Sequence, residues 1–289
     1  MSSPMPAPGF DRDPWLRPRT PLARARLALL VSLIVLTAAA WIVTLQQSRA
    51  MPMPMGIAIR DTMGGDTMGD MAMTEMPAGG WSIAGGATFV AIWTVMMAAM
   101  MLPAAAPMLL IFAAAQTGRS GRSAVGPTWI FAAGYLLVWS LAGVAVYVIV
   151  QIGSDLATTL APADRATWAP IALGVILIVA GLYQFTPLKG VCLSHCRSPL
   201  GFVMEHWREG RRGAIQMGIR HGAYCFGCCW ALFAVLVAAG VMSLAWMLLL
   251  TLVVFAEKVL PMGPRASQAV GVAFVLLGVA VAIGAAGLP

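Results

Sequence analysis

An all-α membrane protein, a polytopic bundle of about seven transmembrane helices, is predicted by three observations. Of the 289 residues, 60% are apolar and only 10% are charged, whereas a soluble domain carries about 25% charged residues. The mean hydropathy is +0.84. Several runs of roughly 20 apolar residues are each long enough to cross a bilayer. The lipid bilayer is therefore the first expected partner. The formal net charge of +7 indicates membrane topology, with no nucleic acid expected as a partner.

The candidate spans are 27–45, 85–115, 128–150, 169–187, 222–240, 243–258 and 267–287. The second is too long for one straight crossing, and we expect Pro103 and Pro107 to kink or break it near its inner end. After the first span, Ser48-Arg49-Ala50 resembles a signal cleavage site. The apolar core from Leu27 to Val43 is longer than that of a signal peptide, so we expect a retained anchor.

The basic residues orient these spans. With the N-terminus inside, fifteen of the 18 Lys and Arg residues fall on the inner side. Arg49, Arg60 and Arg165 are the three that fall outside. Because cytoplasmic loops carry the excess of Lys and Arg, this distribution predicts a cytoplasmic N-terminus and a multi-pass protein of the bacterial inner membrane.

The spans divide the chain into a basic cytoplasmic arm (1–26), a first transmembrane anchor (27–45), a Met-rich external loop (46–84) and a membrane domain (85–289). The last is predicted to be a six-helix metal-binding domain with a cytoplasmic Cys/His loop at 188–221. There is no room for a separate soluble catalytic domain. The sequence also lacks a phosphate-binding glycine loop and a Ser-His-Asp pattern, so an enzyme is the less favoured class.

All five Cys and all three His lie in the 38 residues from Cys192 to Cys229. If 221–229 is helical, its His and Cys residues share an arc of about 100°. Thiolate and imidazole bind Cu(I) and Zn(II) well, and a reducing cytoplasm disfavours disulfides. We therefore predict a site for copper(I), with zinc as the other candidate, from Cys192, His195, Cys196, His221, Cys225, Cys228 and Cys229. Thiol redox chemistry and inert packing remain open alternatives. His206 lies in an amphipathic stretch and is interpreted as solvated.

Eight of the 20 Met residues lie in the external loop. Thioethers select soft Cu(I), need no deprotonation and cannot form disulfides, so they suit an oxidising compartment. The pattern predicts external capture of copper by Met51, Met53, Met55, Met63, Met68, Met71, Met73 and Met76. Low-complexity drift in an unstructured linker is the alternative.

A second group of methionines lies within the second span. Its i,i+4 pairs form two adjacent stacks on a helix and indicate a membrane metal path of Met96, Met97, Met100 and Met101. Ordinary core packing is the alternative. We expect Tyr183, Gln184 and Glu257 to support the metal ligands by hydrogen bonds. Glu257 and Lys258 could equally be interfacial anchors.

Three motifs resemble those of the bacterial predicted metal-binding integral membrane proteins. They read Trp93-x-x-Met96-x-x-Ala99-Met100-Met101-x-Pro103, Tyr183-Gln184-x-Thr186-Pro187-Leu188-Lys189-x-x-Cys192-Leu193-x-His195-Cys196 and His221-Gly222-x-x-Cys225-x-Gly227-Cys228-Cys229-Trp230. The resemblance covers roughly residues 85–265. Some members of that family are labelled copper chaperones, which implies copper handling here without defining a reaction.

The leading hypothesis is a membrane protein that binds Cu(I) for handling, transfer or transport, with a metal-donor or metal-acceptor protein as partner. Since no ATP-binding motif is present in the sequence, transport would depend on gradients or on handover. One alternative is a membrane thiol-disulfide oxidoreductase that uses Cys225 and Cys228. Another is a scaffold for metalloenzyme assembly with a structural zinc site.

Overall fold

The structure, a computed structural model, describes residues 21–50, 81–120, 124–159, 162–240 and 243–285. Within these ranges the elements are all helices, so the predicted all-α architecture is confirmed there. In chain order they are α1 (Pro21–Ala50), α2 (Ile83–Ser120), α3 (Val125–Thr158), α4 (Pro162–Tyr183), α5 (Pro187–Arg197), α6 (Pro199–His206), α7 (Gly210–Ala239), α8 (Leu244–Val259) and α9 (Gly263–Ala285).

Five of these helices, α1, α2, α3, α7 and α9, are long and apolar enough to cross a membrane. A sixth crossing is obtained if α4 and α5, which are bent by 65° relative to each other, are counted as one broken span. Helix α8 has only 16 residues, fewer than the roughly 20 that a straight crossing needs. The described part of the chain therefore supplies five or six candidate crossings where the sequence predicts seven.

Of the kink or break predicted in α2, a break is not observed. Pro103 and Pro107 both lie inside one helix that runs from Ile83 to Ser120. The chain bends instead between α4 and α5. There the side chain of Thr186 caps α5, and Pro187 occupies its first turn, where a missing backbone donor costs nothing.

The predicted cytoplasmic loop at 188–221 is largely helical, because α5, α6 and the start of α7 lie within it. The first helix, α1, extends beyond the predicted anchor at both ends. Residues 1–20 of the predicted arm and residues 51–80 of the predicted Met-rich loop lie outside the described residues.

Helix α7 lies at the centre of the bundle, packed against α3, α4, α5 and α8. Helices α4 and α9 pack closely, with glycine facing glycine twice. A Cβ atom on Gly181 would lie 2.7 Å from the carbonyl oxygen of Gly271, and one on Gly174 would lie 2.8 Å from that of Gly278. In a membrane such small residues allow close van der Waals packing of two backbones.

We predict that Gly181→Ala lowers the melting temperature of the detergent-solubilised protein, because the added methyl group meets the backbone of α9. Overpacking of this kind costs about 1–3 kcal/mol. Gly153→Ala is the matched control, since a Cβ atom there meets nothing within 4 Å. Equal melting temperatures for the two variants in a thermal-shift assay would contradict the close α4–α9 packing.

Candidate metal centre

Two cysteine sulfurs from different helices meet where α5 packs against α7. The Sγ atoms of Cys196 and Cys228 lie 3.9 Å apart, although 32 residues separate them in the chain. The Sγ atom of Cys229 lies 3.3 Å from that of Cys228. All five cysteines are free. The fold thus brings sulfur ligands from both predicted cysteine groups to one place.

Nowhere in the described ranges are three or more His, Cys, Asp or Glu side chains arranged to hold a metal ion. The Cys196–Cys228 pair is therefore the basis of the candidate centre. Two thiolates fit Cu(I), which prefers soft sulfur ligands and is stable at low coordination number.

Cys225 lies in the same sulfur cluster and has polar partners of its own. Its Sγ atom lies 2.9 Å from the ammonium nitrogen of Lys258 and 3.0 Å from the hydroxyl oxygen of Tyr135. The backbone carbonyl of Cys225 accepts a hydrogen bond of 3.1 Å from the thiol of Cys228. Cys192 packs against the backbone of α7 at Gly227. Two of the seven predicted ligands, Cys192 and Cys225, therefore lie beside the Cys196–Cys228 pair.

The three histidines form a ring cluster beside the sulfurs. His195 stacks on Tyr224 with ring centroids 4.1 Å apart, and the ring of His206 lies 6.4 Å from each of them. His221 stacks on Tyr135 at 5.7 Å, which connects the cluster to Cys225. His206, interpreted from the sequence as solvated, is therefore a member of this cluster.

In His195 and His206, the Nδ1 atom of the ring contacts a backbone carbonyl of the same helix. Nδ1 of His195 lies 2.8 Å from the carbonyl oxygen of Val191, and Nδ1 of His206 lies 3.2 Å from that of Phe202. Because a carbonyl only accepts, Nδ1 is the donor in both contacts, and Nε2 is the nitrogen left for other partners. Such backbone contacts orient histidines that bind metal.

A buried charged network lies on the other side of the sulfurs. Lys189 and Glu257 form an ion pair of 2.8 Å, and each side chain is only 1% exposed. The ammonium of Lys189 also donates to Oε1 of Gln184, which accepts a second hydrogen bond of 3.0 Å from Ser267. Gln184 and Glu257 therefore hold Lys189, which was not predicted as a site residue although it lies in the longest motif.

Two further contacts fix the helices that carry the sulfurs. The hydroxyl of Tyr183 donates to the carbonyl of Gly227 at 2.5 Å, which attaches the end of α4 to α7. Arg197 donates to the carbonyl oxygens of Glu257 at 2.5 Å and Leu260 at 2.7 Å. Both carbonyls lie at the end of α8, so the residue after Cys196 attaches α5 to α8.

The four methionines of the predicted membrane path are at most 1% exposed and belong to the same buried cluster as Cys225, Cys228 and Cys229. Trp93 and Trp139 also belong to this cluster. The eight methionines of the predicted external capture lie outside the described residues. Thioethers and thiols of this chain thus share one core.

One comparison with known proteins covers this centre. The sequence model of the PpoB2 family, described as a copper chaperone, matches residues 90–281. This range includes both members of the sulfur pair, all three histidines and the whole charged network. No curated protein and no solved structure matches the chain.

We predict that Glu257→Gln strongly destabilises the protein, because it leaves the buried ammonium of Lys189 without its counter-charge. Losing one partner of a buried ion pair costs about 3–5 kcal/mol. Replacing both partners, in Lys189→Met with Glu257→Gln, is expected to restore most of the melting temperature. If the double variant is no more stable than Glu257→Gln, the ion pair does not contribute as described.

Proposed function

The chain belongs to the PpoB2 family, described as a copper chaperone, and on that premise we propose that it is a polytopic inner-membrane protein that holds Cu(I) and passes it to a partner protein. The observation that carries this proposal is the 3.9 Å separation between the sulfurs of Cys196 and Cys228. Each side chain becomes a soft metal ligand when its thiol loses a proton. Copper is thus the cargo.

The site is suited to handover. A Cu(I) ion held by two sulfurs keeps free coordination positions, so a thiolate of an acceptor can bind before the donor sulfurs leave. Cys228 is buried in the centre of the bundle, whereas Cys196 is partly exposed. An acceptor would therefore approach from the side of α5, where the histidine cluster also lies.

We also propose the seven-span topology with a cytoplasmic N-terminus. Two contacts join helix ends that this topology places on the same side. At the ends predicted inside, Arg119 lies 4.8 Å from the ring centroid of Trp207. At the ends predicted outside, Trp81 donates a hydrogen bond of 3.2 Å to Asp155. On this topology α8 and the bent α4–α5 pair each count as a crossing, embedded among the longer helices.

The buried methionines extend the proposal toward the outside. A stack of thioethers on α2 that shares a core with the cysteines gives Cu(I) soft ligands along its way. The external methionines would supply that stack from the periplasmic side. This part of the proposal depends on the same preference of sulfur for Cu(I) as the Cys196–Cys228 pair.

We predict that the purified protein binds about one Cu(I) ion per chain. The double variant Cys196→Ser with Cys228→Ser is expected to lose at least nine-tenths of the bound copper, because soft Cu(I) binds a serine hydroxyl poorly. The measurement is elemental analysis after loading with Cu(I) under reducing conditions. Ser194→Ala, on the same helix, is the control, since the hydroxyl of Ser194 is exposed and donates to the carbonyl of Val191 within that helix.

Two results of that experiment would overturn the proposal. One is copper content that is unchanged in the double cysteine variant. The other is zinc retained by the native protein through purification in place of copper, which would favour a scaffold with a structural zinc site.

Sidedness gives a second test. We predict that a membrane-impermeant maleimide labels Ser154→Cys, near the outer end of α3, in intact cells and leaves the native protein unlabelled. After permeabilisation the native protein should react, first at the partly exposed Cys196. Labelling of the native protein in intact cells would contradict the topology and favour a thiol-disulfide oxidoreductase that acts on secreted proteins.

A further inference from the structure

A small cavity lies between the segment that joins α6 to α7 and the first turns of α7. Its volume is about 170 Å³, and the described residues that line it are His206, Arg208, Gln216, Met217 and Arg220. Pockets for drug-sized molecules are larger, at roughly 300–1,000 Å³. The cavity therefore has room for a single small polar group.

Positive charge dominates the lining of this cavity. Arg208 and Arg220 contribute two guanidinium groups, and no Asp or Glu is among the described residues that line it. Neither arginine forms an ion pair with a carboxylate in the described ranges. The carboxylate of Glu205 lies 4.0 Å from Nδ1 of His206, but its side chain is 68% exposed and outside the lining. A concave site with two uncompensated cations attracts an anion.

Arg208 is held in place by contacts with α7. Its Nη1 atom donates a hydrogen bond of 2.9 Å to Oε1 of Gln216. A Cβ atom on Gly213 would clash with the backbone carbonyl of Arg208, so the missing side chain lets the segment lie against the helix. Gln216 and Arg220 are four residues apart in α7 and therefore share a face. A guanidinium has five N–H donors, and their fork matches two oxygens of a phosphate group.

The cavity lies where α7 changes from a polar to an apolar sequence. All basic residues of α7 come before residue 221, and residues 221–239 contain no Lys, Arg, Asp or Glu. On the neighbouring α6, Leu200 is 61% exposed and Met204 is 73% exposed, which leaves apolar surface that lipid can cover. Basic pockets at such a boundary bind the headgroups of anionic lipids.

We propose that this cavity is a binding site for a phosphate group, held by the guanidinium groups of Arg208 and Arg220 and by the amide of Gln216. The inference goes beyond the proposed function, because the site takes an anion and uses none of the cysteines. An anionic phospholipid and a soluble phosphate are the two sources of such a group. The exposed apolar residues of α6 favour the lipid.

The test titrates the full-length protein in detergent with dioctanoyl phosphatidylglycerol and measures bound lipid by native mass spectrometry. Dioctanoylglycerol, which has the same acyl chains and no phosphate, is the control ligand. Inorganic phosphate, measured by equilibrium dialysis, represents the soluble source. The native protein is expected to bind phosphatidylglycerol at least about tenfold more tightly than dioctanoylglycerol.

Two double variants show whether the cavity holds the phosphate. Arg208→Gln with Arg220→Gln is expected to weaken binding of phosphatidylglycerol at least about tenfold, because it removes both guanidinium groups from the lining. Arg211→Gln with Arg212→Gln is the matched control. It removes the same charge from the exposed start of α7, but neither residue lines the cavity, so most of the affinity should remain.

Gln216→Glu keeps the test decisive if the double variant at Arg208 and Arg220 does not fold. It preserves the size of the side chain and places a carboxylate beside Arg208, so it should weaken phosphate binding as well. If inorganic phosphate binds with the same dependence on the two arginines and phosphatidylglycerol does not, the phosphate site stands and its source is soluble.

Two results would overturn the inference. One is an equal loss of affinity in the two double variants, which would mean that the charge of the surface acts without the cavity. The other is a native protein that neither prefers phosphatidylglycerol over dioctanoylglycerol nor binds inorganic phosphate. Both results leave the proposed function intact, because copper binding is tested separately at Cys196 and Cys228.

Discussion

The arrangement depends on two adjacent buried charges at the end of α8. Glu257 is held by Lys189 of α5, and Lys258 is held by Cys225 of α7. Because an unpaired charge in this interior is costly, α8 cannot separate from either helix. The two helices that α8 joins are the ones that carry Cys196 and Cys228. A helix of only 16 residues thus helps to determine where the sulfurs meet.

The break between α4 and α5 satisfies its own backbone. The N–H groups of Gln184, Phe185 and Thr186 donate to carbonyls three residues earlier, and the side chain of Thr186 caps the next helix. The side chain of Gln184, at the break, accepts hydrogen bonds from Lys189 and Ser267. The 65° bend turns α5 across the end of the bundle. Cys196 reaches α7 because of that turn.

Sulfur and imidazole divide into two neighbouring groups. The cysteines lie in or against the buried core that holds the methionines. His195 and His206 form a partly exposed ring cluster with Tyr224, whereas His221 is buried. Tyr135 touches both, because it lies against Cys225 and stacks on His221. A soft, dry group next to a more exposed group of borderline ligands is a reasonable arrangement for an ion that must be held and then released.

Composition and the length of hydrophobic runs are local properties, so the helical, apolar character of the chain and its candidate site residues could be predicted from the sequence. The concentration of all Cys and His between Cys192 and Cys229 was likewise visible without a structure. The three-dimensional structure was needed to show that α2 continues through Pro103 and that His206 lies beside His195. It also showed that Lys189 pairs with Glu257, whereas Lys258 contacts Cys225. These outcomes depend on contacts between residues distant in the chain, whose burial and charge pairing no local pattern encodes.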